Sequence, residues 1–98
     1  MKILWVSRHR PLEVQIHKLK EMFGDIQLVR YGKPFHSAEE IHKHFTEYKY
    51  QEMVMVAPLS VIRRMCELGV KPLWAEMRHG KFIRFKRINK IRINYTKL

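Results

Sequence analysis

Short apolar runs alternate with longer amphipathic stretches along most of the chain. Each run is bounded by polar residues, which is typical of a buried strand. The runs carry little internal alternation, so we expect parallel strands that are covered on both faces. The four runs are residues 3–6, 26–29, 53–57 and 73–77.

Three amphipathic helices are predicted between these strands. The second begins at a capping box, in which Ser37 is the N-cap and Glu40 follows three residues later. The first and third each end at a glycine, which commonly closes a helix. The apolar stripes at helical spacing are Leu12, Ile16, Leu19 and Phe23, then Ile41, Phe45 and Tyr48, then Leu59, Ile62 and Cys66.

Strands that alternate with helices predict an α/β fold, with parallel strands joined by right-handed crossovers. We expect a small three-layer parallel sheet with strand order 2-1-3-4, as in a flavodoxin-like or half-Rossmann domain. A chain of 98 residues is the size of one domain. Residues 1–79 would form its βαβαβαβ core, and residues 80–98 a β tail.

The tail from Lys81 to Tyr95 changes to a period of two. Its apolar residues at odd positions are Ile83, Phe85, Ile91, Ile93 and Tyr95, and its basic residues at even positions are Arg84, Lys86, Lys90 and Arg92. A three-residue loop at residues 88–90 keeps these two faces separate, whereas a two-residue turn at residues 89–90 would mix them. One long bent strand would preserve the same faces. In each case we expect antiparallel structure beside strand 4, with a basic face.

Net charge is the strongest compositional signal, because the chain carries +11. Residues 78–98 hold eight Lys or Arg and no acid, which suggests a surface that follows a phosphate backbone. The same charges would also discourage pairing between sheet edges. The residues predicted to bind DNA or RNA are Lys81, Arg84, Lys86, Arg87, Lys90 and Arg92.

A second candidate site lies at the carboxyl ends of strands 1 and 3, where the strand order predicts a crevice. Helix amino termini nearby and basic side chains would suit a phosphate or carboxylate. The alternative, equally favoured, is that Ser60 only caps or lines the third helix and that the arginines are solvated loop residues. The candidate anion-binding residues are Ser7, Arg8, His9, Arg10, Ser60 and Arg78.

Several activities of α/β proteins lack their motifs here. The chain has no Gly-rich dinucleotide or P-loop motif, and Asp25 is its only aspartate. The single cysteine forms no disulfide or CxxC pair within the chain. We expect no metal and no cofactor, and scattered surface histidines are favoured over a site. His9, Glu76 and His79 would form a metal or acid–base set only if their loops fold inward.

The apolar runs are far shorter than the roughly 20 residues of a membrane span, so we expect no membrane partner and a cytoplasmic protein. The segments KILWVSRH, VMVAPLSVI, PLWAEM and FIRFKRINKIRI resemble a set of small prokaryotic proteins of phages, plasmids and thermophile genomes. That resemblance implies the βα fold with a short β tail and no known activity.

Three functions remain open from the sequence. We favour a binding protein without enzymatic activity that holds nucleic acid or another polyanion without sequence preference. The first alternative is a small enzyme or sensor for a phosphate-bearing ligand at the crevice between strands 1 and 3. The second alternative is a homodimeric interaction module joined through a sheet edge.

Overall fold

The structure is a computed structural model that describes residues 1–91, and the predicted tail residues from Arg92 onward lie outside this part of the chain. The described part folds into one five-stranded sheet with three helices. The strands are β1 (Lys2–Val6), β2 (Gln27–Tyr31), β3 (Glu52–Met55), β4 (Leu73–Arg78) and β5 (Lys81–Arg87), and the helices are α1 (Glu13–Phe23), α2 (Ala38–Glu47) and α3 (Leu59–Glu67).

The sheet has the strand order β2-β1-β3-β4-β5. β1 pairs in parallel with both β2 and β3, and β3 pairs in parallel with β4. β5 runs antiparallel to β4. The predicted α/β class and the order 2-1-3-4 are therefore confirmed, and the tail adds an antiparallel strand as expected. The finer comparison with a flavodoxin-like fold stays a prediction, since β3 and β4 share only the Val54–Leu73 pairing.

Two buried clusters lie on opposite faces of the sheet. Leu4 and Val6 belong to a cluster that includes residues of α2 and α3. Ile3 and Trp5 belong to a second cluster with Leu19 of α1. Because successive side chains of a strand point to opposite faces, β1 supplies both clusters at once. This explains why its sequence shows an unbroken apolar run.

The helices pack slightly differently from the prediction. α1 begins at Glu13, and its N-cap Leu12 is 46% exposed, so the predicted stripe is wrong at that position. Gln15 is buried instead, and its side-chain oxygen accepts a hydrogen bond of 2.8 Å from the Leu12 backbone N–H. In α3 the predicted core residue Leu59 is 66% exposed.

The cap of α2 agrees with the prediction. The Ser37 hydroxyl accepts a hydrogen bond of 3.3 Å from the Glu40 backbone N–H. The Glu40 carboxylate in turn accepts a hydrogen bond of 2.7 Å from the backbone N–H of His36. Side chains thus satisfy two backbone donors at the start of α2, which fixes the end of the loop that follows β2.

β4 and β5 form a hairpin with a two-residue turn at His79 and Gly80. Both residues have positive φ, 50° and 76° respectively, as a type I′ turn requires. A β-bulge lies further along the hairpin, because Met77 pairs with Phe82 while the preceding Glu76 pairs with Arg84. Ile83 is the extra residue and is 40% exposed, so the strict alternation predicted for the tail is wrong there.

Candidate functional site

A cleft of about 490 Å³ lies beyond the carboxyl ends of β1, β2 and β3. Its walls come from residues 7–9 after β1, residues 31–36 after β2 and residues 56–58 after β3, together with Val61 of α3. We call this the strand-end cleft. α1 and α3 pack in the clusters on opposite faces of the sheet, so the chain leaves β1 and β3 in opposite directions and opens the cleft.

Three hydrogen bonds hold the backbone of the loop after β1. The buried Ser7 hydroxyl accepts from the His9 backbone N–H at 3.1 Å. The Trp5 indole N–H donates to the His9 carbonyl at 3.0 Å, and the Arg30 guanidinium donates to the Arg8 carbonyl. The loop is therefore fixed by its backbone, while Arg8 and His9 are exposed at the rim of the cleft.

The lining of the strand-end cleft is basic. Arg8, His9, Lys33 and His36 contribute to its walls, and no Asp or Glu is among the lining residues. Neither Arg8 nor Lys33 forms an ion pair with a carboxylate of residues 1–91. The Lys33 ammonium instead lies 5.2 Å from the ring centre of Tyr31. The arrangement favours an anion.

Part of the lining of this cleft was predicted from the sequence. Ser7, Arg8 and His9 line it, whereas Arg10 and Ser60 are not lining residues and Arg78 lies on β4. The sequence analysis did not predict that residues 31–36 line the strand-end cleft. The signal was present, because a basic segment follows the second strand and the order 2-1-3-4 places that strand beside β1.

A second basic region is a face of the β4–β5 hairpin. Trp74 pairs with Lys86, and Glu76 pairs with Arg84. Paired residues of antiparallel strands point to the same side, so these side chains share one sheet face. We call this surface the hairpin face, and it consists of Trp74, Glu76, Arg78, Arg84 and Lys86.

Glu76 is a nearly buried acid that contacts the three basic side chains of the hairpin face. Its side chain is 10% exposed, whereas those of Arg78, Arg84 and Lys86 are 68%, 60% and 51% exposed. One carboxylate oxygen lies 3.3 Å from both the Arg84 and the Lys86 nitrogens, and the other lies 3.7 Å from Arg78. One acid thus holds three cations, and the face keeps a positive excess.

These contacts also bear on the proposed set of His9, Glu76 and His79. Glu76 faces three basic side chains, and His79 lies in the hairpin turn. No three His, Cys, Asp or Glu side chains in the described residues are placed to hold a metal ion. The structure gives this set no geometric support.

The other predicted nucleic-acid residues occupy different surroundings. Two Arg87 nitrogens contact the Glu52 carboxylate at 2.5 and 2.8 Å, and this hydrogen bonding raises the pKa of Arg87. Arg87 also donates to the Lys71 carbonyl at 2.8 Å, so we leave it out of the binding surface. Lys81 lies at the hairpin end and Lys90 beyond β5, while Arg92 is outside the described residues.

Trp74 is the functional candidate that the sequence reasoning missed, because it was counted within a buried strand. It is 38% exposed. A period of two was present in this run, with Leu73, Ala75 and Met77 at odd positions and Trp74, Glu76 and Arg78 at even positions. That alternation is typical of a strand with one face toward solvent.

No helix within residues 1–91 has the length and apolar character needed to cross a bilayer. The resemblance to small proteins of mobile elements and thermophile genomes stays a prediction. Comparison of the chain with models of known protein families, with curated protein sequences and with solved structures gives no match.

Proposed function

We propose that the protein binds single-stranded nucleic acid, without sequence preference, through the hairpin face. The observation that carries the proposal is the exposed indole of Trp74 on the same sheet face as Arg84 and Lys86. An aromatic ring on a sheet stacks on an unpaired base while neighbouring cations contact phosphates. Stacking is tolerant of sequence, since every base has a flat face.

The charge distribution supports the same function. Arg84 and Lys86 are more than half exposed although both lie beside Glu76. Glu76 therefore contacts the two side chains without covering them, so both cations stay accessible to phosphates. The rest of residues 78–98 is also free of acids, so the surrounding potential favours a polyanion.

The competing role for these charges is protection of an edge strand, because β5 lies at the end of the sheet that residues 1–91 form. Such protection needs charge along the edge, but it gives no reason for an exposed tryptophan on the adjacent face. Trp74 is thus the residue that separates binding from edge protection. A homodimer through this edge would bury the hairpin residues and would show as a doubled mass in solution.

The test is fluorescence anisotropy with labelled single-stranded RNA, single-stranded DNA and duplex DNA across a range of salt. We expect single strands to bind more tightly than duplex. If Arg78, Arg84 and Lys86 each contact one phosphate, a plot of the logarithm of the binding constant against the logarithm of the salt concentration should have a slope of about −2. The variant Arg84→Glu/Lys86→Glu should weaken binding by more than about tenfold and flatten that slope.

A matched control is Lys20→Glu/Lys43→Glu, which changes net charge equally on exposed positions of α1 and α2. Trp74→Ala should cost about 1–3 kcal/mol of binding free energy while leaving the salt slope unchanged. Absence of binding at low salt, or equal losses in the two charge-reversed variants, would contradict the proposal. Sedimentation of the same samples tests the dimer.

A further inference from the structure

We infer that the strand-end cleft binds a small phosphomonoester joined to a planar ring, the chemistry of a nucleoside monophosphate. The cleft and the hairpin face share no residue, so this is a second binding activity beyond the function proposed above. Four properties of the cleft indicate the kind of ligand. These are its volume, its apolar side chains, its basic side chains and the hydrogen-bonded loop after β1.

The size and the apolar part of the lining favour a ring compound. A volume of about 490 Å³ falls within the range of about 300–1,000 Å³ that is usual for small-ligand sites. Val56 is 47% exposed although it lies in a concave site, and Phe35 and Val61 are only partly buried. A flat apolar ring that covers these side chains would remove their surface from water.

The shape of one wall agrees with a planar ligand. The rings of Tyr31 and Phe35 meet edge to face, with their centres 6.5 Å apart. Tyr31 is buried by this packing, whereas Phe35 keeps exposed surface toward the cleft. An aromatic wall beside the exposed Val56 provides two apolar surfaces against which a base could lie.

The charged part of the lining favours a doubly charged group. Arg8 and His9 come from the loop after β1, and Lys33 and His36 come from the loop after β2. Because none of the lining residues within 1–91 carries a carboxylate, a phosphate would gain these contacts without repulsion from an acid of that part of the chain. Cations that converge from two separate loops suit the several oxygens of a phosphomonoester better than a single carboxylate.

Hydrogen bonds within the protein hold the loop after β1. Its carbonyls are engaged by Trp5 and Arg30, and its Ser7 hydroxyl accepts from the His9 backbone. A ligand therefore orders only side chains, which reduces the free-energy cost of binding. Ser7 is buried, whereas Arg8 and Lys33 are exposed and charged, so we assign the anion to the two cations rather than to the serine.

Isothermal titration calorimetry of the whole chain with adenosine monophosphate tests this inference, with adenosine and inorganic phosphate as the two half-ligands. We expect saturable binding of one adenosine monophosphate per chain. Each half-ligand should bind at least about tenfold more weakly, because each loses either the ring or the charged contacts. Phosphate binding as tight as that of adenosine monophosphate would overturn the assigned ligand class.

Two variants locate the site. Arg8→Ala/Lys33→Ala should weaken binding of adenosine monophosphate by at least about tenfold, since two charge-assisted contacts are removed. Val56→Asp should abolish it by adding a carboxylate at an exposed position of the cleft. Circular dichroism checks that both variants fold.

The control Lys18→Ala/Arg63→Ala removes two basic side chains that pair with acids outside the cleft. It should bind adenosine monophosphate as the unchanged protein does, and so should Arg84→Glu/Lys86→Glu of the hairpin face. Wild-type affinity in the Arg8→Ala/Lys33→Ala variant, or no binding at millimolar adenosine monophosphate, would overturn the inference.

Discussion

The hairpin face and the strand-end cleft are both positive, yet they hold their cations in different ways. On the hairpin face a nearly buried Glu76 lies beneath Arg84 and Lys86. In the cleft no acid is present, and hydrogen bonds to the backbone fix the loop that carries Arg8. The comparison teaches that charge sign alone does not select a partner. An open, anchored surface suits a polymer, whereas a concave, acid-free site suits a small anion.

The same difference has a consequence for folding. The hairpin cations are paired with an acid, so they contribute to stability as well as to binding. Arg8 and Lys33 of the cleft are exposed and pair with no acid of residues 1–91, so their removal should change stability little. Stability and binding are therefore linked on the hairpin face and separable in the cleft.

The largest effect is expected at Trp5, which contacts both the hairpin and the loop of the cleft. Trp5 packs edge to face against Phe85 of β5, with ring centres 6.4 Å apart, and its indole N–H donates to the His9 carbonyl. Trp5 is 2% exposed, so Trp5→Ala should lower the free energy of unfolding by about 3–5 kcal/mol. Urea unfolding followed by circular dichroism measures this loss.

Trp5→Phe then separates the two regions. It keeps an aromatic ring against Phe85 but removes the donor to His9. The lost hydrogen bond is worth about 1 kcal/mol. Because the ligand must then order the loop after β1 at that cost, adenosine monophosphate should bind about fivefold more weakly. Nucleic-acid affinity should stay at the wild-type level. Equal losses of both ligands in Trp5→Phe would show that the regions are not independent.

An intermediate effect is expected at Glu76. Glu76→Gln removes the acid that Arg78, Arg84 and Lys86 share, and it should lower the free energy of unfolding by about 1 kcal/mol, because the exposed cations stay hydrated when the ion pairs are lost. Nucleic-acid affinity should rise and its salt dependence should steepen, because the face becomes more positive. Urea unfolding and anisotropy measure the two opposite changes.

The control for Glu76 is Glu67→Gln. Glu67 is an acid of α3 that is 48% exposed and pairs with the exposed Arg63 and Arg64. Both partners of each Glu67 pair are exposed, whereas the Glu76 side chain is 10% exposed, so this variant should change stability less than Glu76→Gln. A fall in nucleic-acid affinity on Glu76→Gln would mean that anchoring of the cations outweighs their net charge.

The smallest effect is a pH dependence on the cleft side of the molecule. His44 packs against Tyr31, with ring centres 5.0 Å apart. Burial lowers the pKa of His44 below its ordinary value of 6.5, and the charges of Lys33 and Lys2 lower it further, while Glu47 acts in the opposite direction. The unfolded chain therefore takes up a proton on His44 more readily than the folded protein.

It follows that this contribution to stability is present above about pH 6.5 and is lost as the pH falls toward the lowered pKa of His44. His44→Phe keeps the ring packing and removes the titration. We expect the unfolding free energy of the wild type to fall relative to that of His44→Phe between pH 7 and pH 5, as thermal unfolding at each pH would show. A constant difference between the two proteins would contradict the argument.

Local patterns predicted much of the fold and part of the site. The apolar runs indicated the strands, and the Ser37 capping box indicated the start of α2, because both depend on nearest neighbours in the sequence. Ser7, Arg8 and His9 were predicted at the cleft because they directly follow β1. Trp74 was missed, since its exposure depends on whether anything covers β4 on that face.

The sequence by itself determined the α/β class, the order of the first four strands and the excess of positive charge at the end of the chain. These follow from periodicity, crossover handedness and composition, which are properties of short segments or of the whole chain. The tertiary structure alone decided that Glu76 would face Arg84 and Lys86, that Arg87 would pair with Glu52, and that the loop after β2 would close the cleft. Each of these contacts joins separate elements whose relative position depends on pairing register and on the bulge in β5, and a shift of one residue would turn every side chain to the other face.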